Sequence, residues 1–76
     1  MRKKRIEYDS ALDALVAVAK RLSAFEIQNQ ITSEEFFDKF RKGEMEDSAD
    51  FVEWANDYRH FLALRSEMED RLRNAA

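Results

Sequence analysis

The sequence predicts an all-α fold, a small three-helix domain in which two long antiparallel helices are joined by a short helix. Three observations support this prediction. The 76 residues include no proline and a single glycine, Gly43, so few positions interrupt a helix. Apolar residues recur at steps of three and four along two stretches, which is the period of one helix face. Residue types that cap helices stand between those stretches.

The first helix should begin near Asp9 or Ser10, which are both good N-caps, and should run to about Gln28. Asp13 then lies in the first turn, where the helix dipole favours negative charge. Residues 1–8 are expected to be a flexible basic tail, and residues 9–76 a single helical domain. One apolar stripe should face the core: Leu12, Leu15, Ala19, Leu22 and Phe25, widened by Val16 and Val18.

The second helix is short, and both of its ends carry a local signal. Thr32 followed by Glu35 fits the capping box at its start. Gly43 suits the position just after its end, where a left-handed backbone is common. The apolar content of this helix is Phe36, Phe37 and Phe40.

The third helix should be capped by Asp47 or Ser48 and should extend from about residue 49 to residue 73. At 1.5 Å per residue it would be roughly 37 Å long, which exceeds the length of the first helix. The excess should protrude, fray or pair with another molecule. Its apolar seam is Phe51, Trp54, Tyr58, Phe61, Met68 and Leu72, broadened by Val52, Ala55, Leu62 and Leu64.

The small size of the chain favours association. A chain of this length buries only about 60% of its unfolded surface, so its core is small. No cysteine is present to form a disulfide or a thiolate metal site, and His60 is the single histidine. Additional burial is therefore expected from a bound partner protein or from a second copy, and we expect a homo-oligomer, specifically a dimer.

Charge is distributed unevenly along the chain. The net charge is −3, yet residues 2–5 carry four positive charges. Between residues 26 and 57, ten acidic residues stand against Lys39, Arg41 and Lys42. An acidic body disfavours broad nucleic-acid binding and favours a basic partner. Nucleic acid is expected to bind only weakly, through the basic tail, if at all.

Membrane insertion, secretion and catalysis are not expected. The longest uncharged run before Lys20 covers residues 14–19, and no apolar segment with a cleavage site follows residues 2–5, so we predict a cytoplasmic protein. Asp57 and His60 form a carboxylate–histidine pair at a spacing of three, but helical metal centres need that motif twice. We predict no enzyme activity, no metal and no cofactor.

The aromatic residues give the strongest indication of function. Phe36 and Phe37 are adjacent and point about 100° apart on a helix, so they are not expected to share one small core. Phe51 and Trp54 follow soon after them along the chain. Either all these rings fill the core, or some of them form an exposed patch around the acidic turn at residues 43–50. We favour the exposed patch.

A resemblance points to the same region. Residues 33–47 read SEEFFDKFRKGEMED, and residues 50–55 read DFVEWA, followed by Tyr58. This pattern, within residues 22–62, resembles small antitoxin-like proteins of bacterial and archaeal toxin–antitoxin modules. The Gly-Glu turn followed by Asp-Phe-x-Glu-Trp-Ala is its specific part. The resemblance implies a helical protein that binds and silences a neighbouring toxin, often a ribonuclease, although this chain has no recognisable DNA-binding domain.

The predicted partner-binding residues follow from the aromatic pattern and the resemblance together. Acidic residues should steer a basic toxin, and aromatic residues should anchor it. The predicted set is Phe36, Phe37, Glu44, Asp47, Asp50, Phe51, Glu53, Trp54 and Tyr58, with Glu46 as a further steering charge. Two alternatives remain open. One is a self-associating structural or adaptor protein whose third helix pairs across a two-fold axis, and the other is a nucleic-acid-binding regulator that uses the basic tail.

Overall fold

The computed structural model describes residues 10–75 as three helices, α1 (Ser10–Asn29), α2 (Ser33–Arg41) and α3 (Ala49–Ala75). Residues 10–75 include no strand, so the predicted all-α class is confirmed. Helices α1 and α3 are antiparallel, because Arg21 is paired with Asp57 while Phe25, one turn later, stacks on Trp54. The predicted basic tail at residues 1–8 lies outside the described residues.

Helix α2 begins as its sequence predicts. The Thr32 hydroxyl oxygen accepts a hydrogen bond from the Glu35 backbone N–H at 3.1 Å, which satisfies one of the free donors of the first turn. A second donor, the Ser33 N–H, is satisfied from outside the helix by the Glu26 carboxylate of α1 at 2.8 Å. The start of α2 is therefore fixed both by its own cap and by α1.

Helix α2 ends in a Schellman motif, as the position of the single glycine predicts. The Gly43 N–H donates to the Phe40 carbonyl at 3.1 Å, and the Glu44 N–H donates to the Lys39 carbonyl at 2.9 Å. Gly43 has φ +77°, in the left-handed region. These bonds reverse the chain so that it can lead into α3.

Substituting Gly43 with alanine should destabilise the fold by about 1 kcal/mol, because a Cβ disfavours left-handed backbone. No atom lies within 4 Å of the position of that Cβ, so the cost comes from the backbone alone. Gln30, which follows α1, also has a positive φ of 57°. Gln30→Gly should therefore change the free energy of unfolding in the opposite direction to Gly43→Ala, with a stabilisation of about 0.5 kcal/mol. Urea unfolding of both variants measures the two effects, and a neutral Gly43→Ala would contradict the argument.

Helix α3 begins at the cap that the sequence left open between two residues. The Ser48 hydroxyl accepts a hydrogen bond from the Phe51 N–H at 3.2 Å, so Ser48 and not Asp47 caps the helix. The 27 residues of α3 span about 40 Å, and the 20 residues of α1 span about 30 Å. Near the far end of α3, Leu72 is 69% exposed, so no described residue covers this last part of the predicted seam.

The core is organised around three stacked aromatic rings, one from each helix. The Trp54 indole of α3 lies between Phe36 of α2, at 3.8 Å between ring centroids, and Phe25 of α1, at 5.2 Å. Both pairs are nearly parallel. Leu22 and Ala55 complete the buried cluster, in which Trp54 and Phe36 have no exposed surface. The stack connects all three helices and is the centre of the fold.

The buried face of α1 differs from the predicted stripe. Val18 and Leu22 of the predicted stripe are buried, together with Ala11, whereas Leu12 and Val16 are 54% and 47% exposed. Leu12 and Val16 were placed in the core because of their spacing along α1, but the apolar cluster of α2 and α3 packs on the side of Leu22 and Phe25. A helix that is apolar over much of its circumference offers more than one possible stripe, and its neighbours select which is buried. Leu12 and Val16 remain as exposed apolar side chains.

Candidate protein-binding groove

Two of the predicted anchor residues belong to the core. Phe36 and Trp54 are 0% exposed, so neither offers a surface to a partner in this fold. The prediction that Phe36 and Phe37 could not serve one interior was wrong. Their side chains do diverge, but Phe36 points into the aromatic stack while Phe37 packs against Tyr58 of α3, at the edge of the same cluster. Because α3 flanks α2, both directions lead to apolar neighbours.

Phe51 is also part of the cluster. Its ring meets Phe36 edge to face at 5.3 Å and lies 6.1 Å from Trp54, and its side chain is only partly buried. Phe51 therefore closes the core next to the start of α3. It contributes its exposed edge to the surface and not a whole ring.

The predicted acidic residues do not surround the predicted aromatic residues. Glu53 lines a cavity of about 190 Å³ beside Phe25 and Arg21, on the α1 side of α3. The predicted set has four acidic members, Glu44, Asp47, Asp50 and Glu53. All four are exposed, and none of them lines the cavities next to Phe37 and Tyr58. The acidic turn and the exposed aromatic rings are thus separate parts of the surface.

A different set of residues surrounds the two accessible rings. Phe37 and Tyr58 pack with 5.2 Å between ring centroids, at 53° to each other. They line an open cavity of about 670 Å³ between α2 and α3, together with Thr32 and Leu62. Its charged lining consists of Glu34, Glu35, Asp38 and Arg41.

A second cavity, of about 340 Å³, adjoins the first and shares Thr32, Glu34 and Tyr58 with it. It extends to α1, where Glu26 lines it, and along α3 to Arg65. Its apolar lining consists of Ala19, Leu22 and Phe61. We call the two cavities together the Tyr58 groove, since Tyr58 stands where they meet.

The charged side chains that line the groove differ in whether they form ion pairs with other residues of the chain. Asp38 is paired with Lys42 at 3.1 Å and with Arg41 at 3.3 Å. The hydrogen bond from Lys42 is the main reason that the pKa of the Asp38 carboxyl lies below its ordinary value. Glu34 and Glu35 are exposed, and neither is in an ion pair with any residue from 10 to 75. Glu34 and Glu35 are therefore the negative charges that a ligand of the larger cavity could meet, and Arg65, which forms no ion pair within residues 10–75, is a positive charge at the smaller cavity.

Burial and neighbouring charges affect the Tyr58 hydroxyl and the Phe37 ring in different ways. Burial raises the pKa of the Tyr58 phenol, and the nearby Glu34 carboxylate raises it further, so Tyr58 presents a neutral hydroxyl. Two guanidinium groups lie over the Phe37 ring, that of Arg59 at 5.2 Å and that of Arg41 at 6.0 Å from the ring centroid. These contacts restrain the rings at the floor of the groove while leaving part of each ring accessible.

The core holds the α2 wall of the groove in position. The Trp54 indole N–H donates to the Ser33 hydroxyl at 2.9 Å, and Ser33 is only 3% exposed. The Ser33 N–H in turn donates to Glu26, whose carboxylate lies at the groove edge. Ser33 thereby connects the aromatic stack to the first turn of α2, which carries Glu34 and Glu35.

The sequence carried a signal for this surface that the prediction did not use. Glu34, Phe37, Asp38 and Arg41 follow the spacing of one helix face and form the outer side of α2. The core side is made by Phe36 and Phe40 with Ser33. Phe36 and Phe37 were predicted to point in different directions, but Glu34 was not assigned to the face of Phe37, which the helical spacing predicts. The contributions of Glu26 and Leu62 depend on other helices and have no local signal.

Within residues 10–75, no three His, Asp or Glu side chains are grouped so that they could hold a metal ion. None of the three helices has a stretch long and apolar enough to cross a membrane. No protein-family model, curated protein or solved structure matches the chain. Functional inference therefore depends on the geometry of the groove.

Proposed function

We propose that this protein is a protein-binding module that acts as an antitoxin-like inhibitor of a small basic toxin encoded next to it, such as a ribonuclease. One observation carries the proposal: the half-buried rings of Phe37 and Tyr58 lie beside the carboxylates of Glu34 and Glu35, which form no ion pair within residues 10–75. Protein interfaces commonly combine aromatic anchors with complementary charge at the rim. The resemblance to antitoxin-like proteins over residues 22–62 supplies the class of partner.

The proposed inhibition is steric and electrostatic. A toxin that acts on RNA needs a basic cleft for the phosphate backbone, and an acidic protein seated on that cleft competes with RNA for it. Exposed carboxylates elsewhere on the surface, such as those of Glu44 and Asp47, would add to long-range attraction without contributing to the anchor. No catalytic group is required for this activity.

The product of the adjacent gene is the partner to test. Mixed at micromolar concentration, the two proteins should elute together in size-exclusion chromatography, and separate elution would contradict the proposal. Phe37→Ala should weaken the complex about tenfold or more, because an anchor ring is lost. Glu67→Ala, on α3 and paired with Arg71 away from the groove, is the control and should have little effect. Equal losses in both variants would show that the groove is not the anchor.

Self-association is a second candidate, and a specific observation favours it. Leu12, Val16 and Leu72 are between 47% and 69% exposed, which leaves apolar surface on α1 and at the far end of α3. A pairing of α3 across a two-fold axis cannot use Trp54, since this residue is fully buried. Light scattering at high concentration decides the matter, because a strictly monomeric mass would eliminate this candidate.

A further inference from the structure

The Tyr58 groove has features that specify the shape of its ligand. It has an apolar floor of Phe37, Tyr58 and Leu62, and its rim carries Glu34 and Glu35. We propose that it binds a basic amphipathic helix of the partner protein, with apolar side chains of that helix placed against Phe37 and Tyr58. This inference rests on the proposed protein-binding function and adds the kind of segment that the partner presents.

The sign of the ligand's charge follows from the available carboxylates. Asp38 forms ion pairs with Lys42 and Arg41, but Glu34 and Glu35 are in no ion pair with another described residue. Lysine or arginine side chains on either side of the apolar stripe of a helix could reach both carboxylates. An acidic ligand would instead be repelled by Glu34 and Glu35, so the larger cavity favours a cationic segment, while Arg65 lines only the smaller cavity.

The helical form of the ligand follows from the backbone of the groove. The walls of the groove come from α1, α2, α3 and the Thr32 cap, and their backbone groups are largely used within the helices. Within residues 10–75 there is no strand edge, so an extended peptide would find no row of main-chain partners. A helix satisfies its own backbone hydrogen bonds and needs only side-chain contacts.

The size of the groove agrees with such a ligand. The larger cavity, of about 670 Å³, is open and can receive apolar side chains from successive turns of a helix. Phe37 and Tyr58 are only partly buried in the described chain, and a docked aliphatic side chain would remove more of their surface from water. The smaller cavity continues the path toward α1, where Glu26 contributes further negative charge.

The test uses a fluorescein-labelled peptide of roughly 18 residues, long enough to form a helix, with leucines at helical spacing and lysines elsewhere. Fluorescence anisotropy with the full chain should show saturable binding, and a peptide with glutamate in place of lysine should not bind. The Glu34→Lys/Glu35→Lys variant should lower the affinity at least about tenfold. Glu34→Gln/Glu35→Gln, which removes charge without reversing it, should give a smaller loss.

The matched control is Glu44→Lys/Glu46→Lys. It has the same net charge as the Glu34→Lys/Glu35→Lys variant, but the residues it changes lie outside the groove. Its affinity should stay within about twofold of the unmodified chain, apart from long-range effects that added salt removes. Emission from Trp54, the single tryptophan, reports whether each variant keeps its core. Equal losses in the two lysine variants, or equal binding of the acidic peptide, would overturn the inference.

The peptide experiment and the toxin experiment fail independently. Peptide binding in the groove without any complex with the adjacent gene product would contradict the proposed toxin and leave the ligand class in place. A complex that survives Glu34→Lys/Glu35→Lys unchanged would contradict the groove as its site and leave the protein-binding function in place.

Discussion

Replacing Trp54 with alanine should unfold the protein. The indole is fully buried between Phe36 and Phe25, and these stacks connect the three helices. Truncating a buried aromatic residue to alanine costs about 3–5 kcal/mol. The single core of a chain of 76 residues rarely supplies more than about 3–5 kcal/mol, so this loss removes most or all of the margin.

Far-UV circular dichroism during heating measures this effect, since the variant has no tryptophan emission to follow. Trp54→Phe should be milder, because a ring can still stack between Phe36 and Phe25. Leu72→Ala is the control: this side chain is 69% exposed, and its truncation should change stability by no more than about 0.5 kcal/mol. A Trp54→Ala variant that melts at the same temperature as Leu72→Ala would show that the stack is not the core.

Substituting Ser33 with alanine should have the second largest effect, a destabilisation of about 1–3 kcal/mol. The Ser33 hydroxyl accepts the hydrogen bond from the buried Trp54 indole N–H at 2.9 Å. Without it, that donor is left in the core with no acceptor, which costs more than an ordinary lost bond. Alanine has a higher helix propensity than serine, and this difference offsets only about 0.5 kcal/mol of the destabilisation.

A double-mutant cycle isolates that hydrogen bond. In the Trp54→Phe background no indole N–H is present, so Ser33→Ala should cost about 1 kcal/mol less than it does in the unmodified chain. Urea unfolding followed by circular dichroism gives all four stabilities. Ser66→Ala on the exposed side of α3 controls for the loss of a serine hydroxyl alone. Equal costs of Ser33→Ala in both backgrounds would show that the two side chains are not coupled.

These two predictions also determine how binding can be studied. Trp54 and Phe36 were predicted to touch a partner, but both are buried, and their truncation would abolish binding by unfolding the chain. Such a loss would say nothing about the interface. Substitutions at Glu34 and Glu35 act on exposed groups and can separate recognition from stability, whereas Phe37→Ala also removes contacts at the edge of the core and needs Trp54 emission as a check of folding.

The helix boundaries could be predicted because each depends on a few neighbouring residues. The Thr32 hydroxyl reaches the Glu35 N–H within one turn, and Gly43 adopts the left-handed backbone that ends α2. Ser48 caps α3 in the same way, although Asp47 was an equally good candidate by residue type. The hydrogen bonds that end a helix are local, so their signal is present in the sequence.

The candidate site could be predicted only in part. Phe37 and Tyr58 were expected at a partner surface, and they do line the groove. Their charged neighbours were expected to come from the turn at residues 43–50, but they come from Glu34 and Glu35, with Glu26 of α1 at the other end. Glu34 and Glu35 lie within one turn of Phe37 on α2, so this helix alone brings them near the ring, whereas Tyr58, Leu62 and Glu26 come from other helices. The part of the groove that is assembled across helices therefore had no local signal.

The sequence by itself determined the all-α class, the three helices and the position of their ends, since backbone hydrogen bonding and the left-handed preference of Gly43 act over a few residues. Only the tertiary structure decided which faces are buried. Leu12 and Val16 of the predicted stripe are exposed while Leu22 is buried, because the apolar cluster packs against only one side of α1. Phe36 and Phe37 diverge as neighbouring helix positions do, but Phe37 has an apolar neighbour because Tyr58 of α3 lies against it. Burial depends on where neighbouring helices lie in space, and no local pattern of apolar residues contains that information.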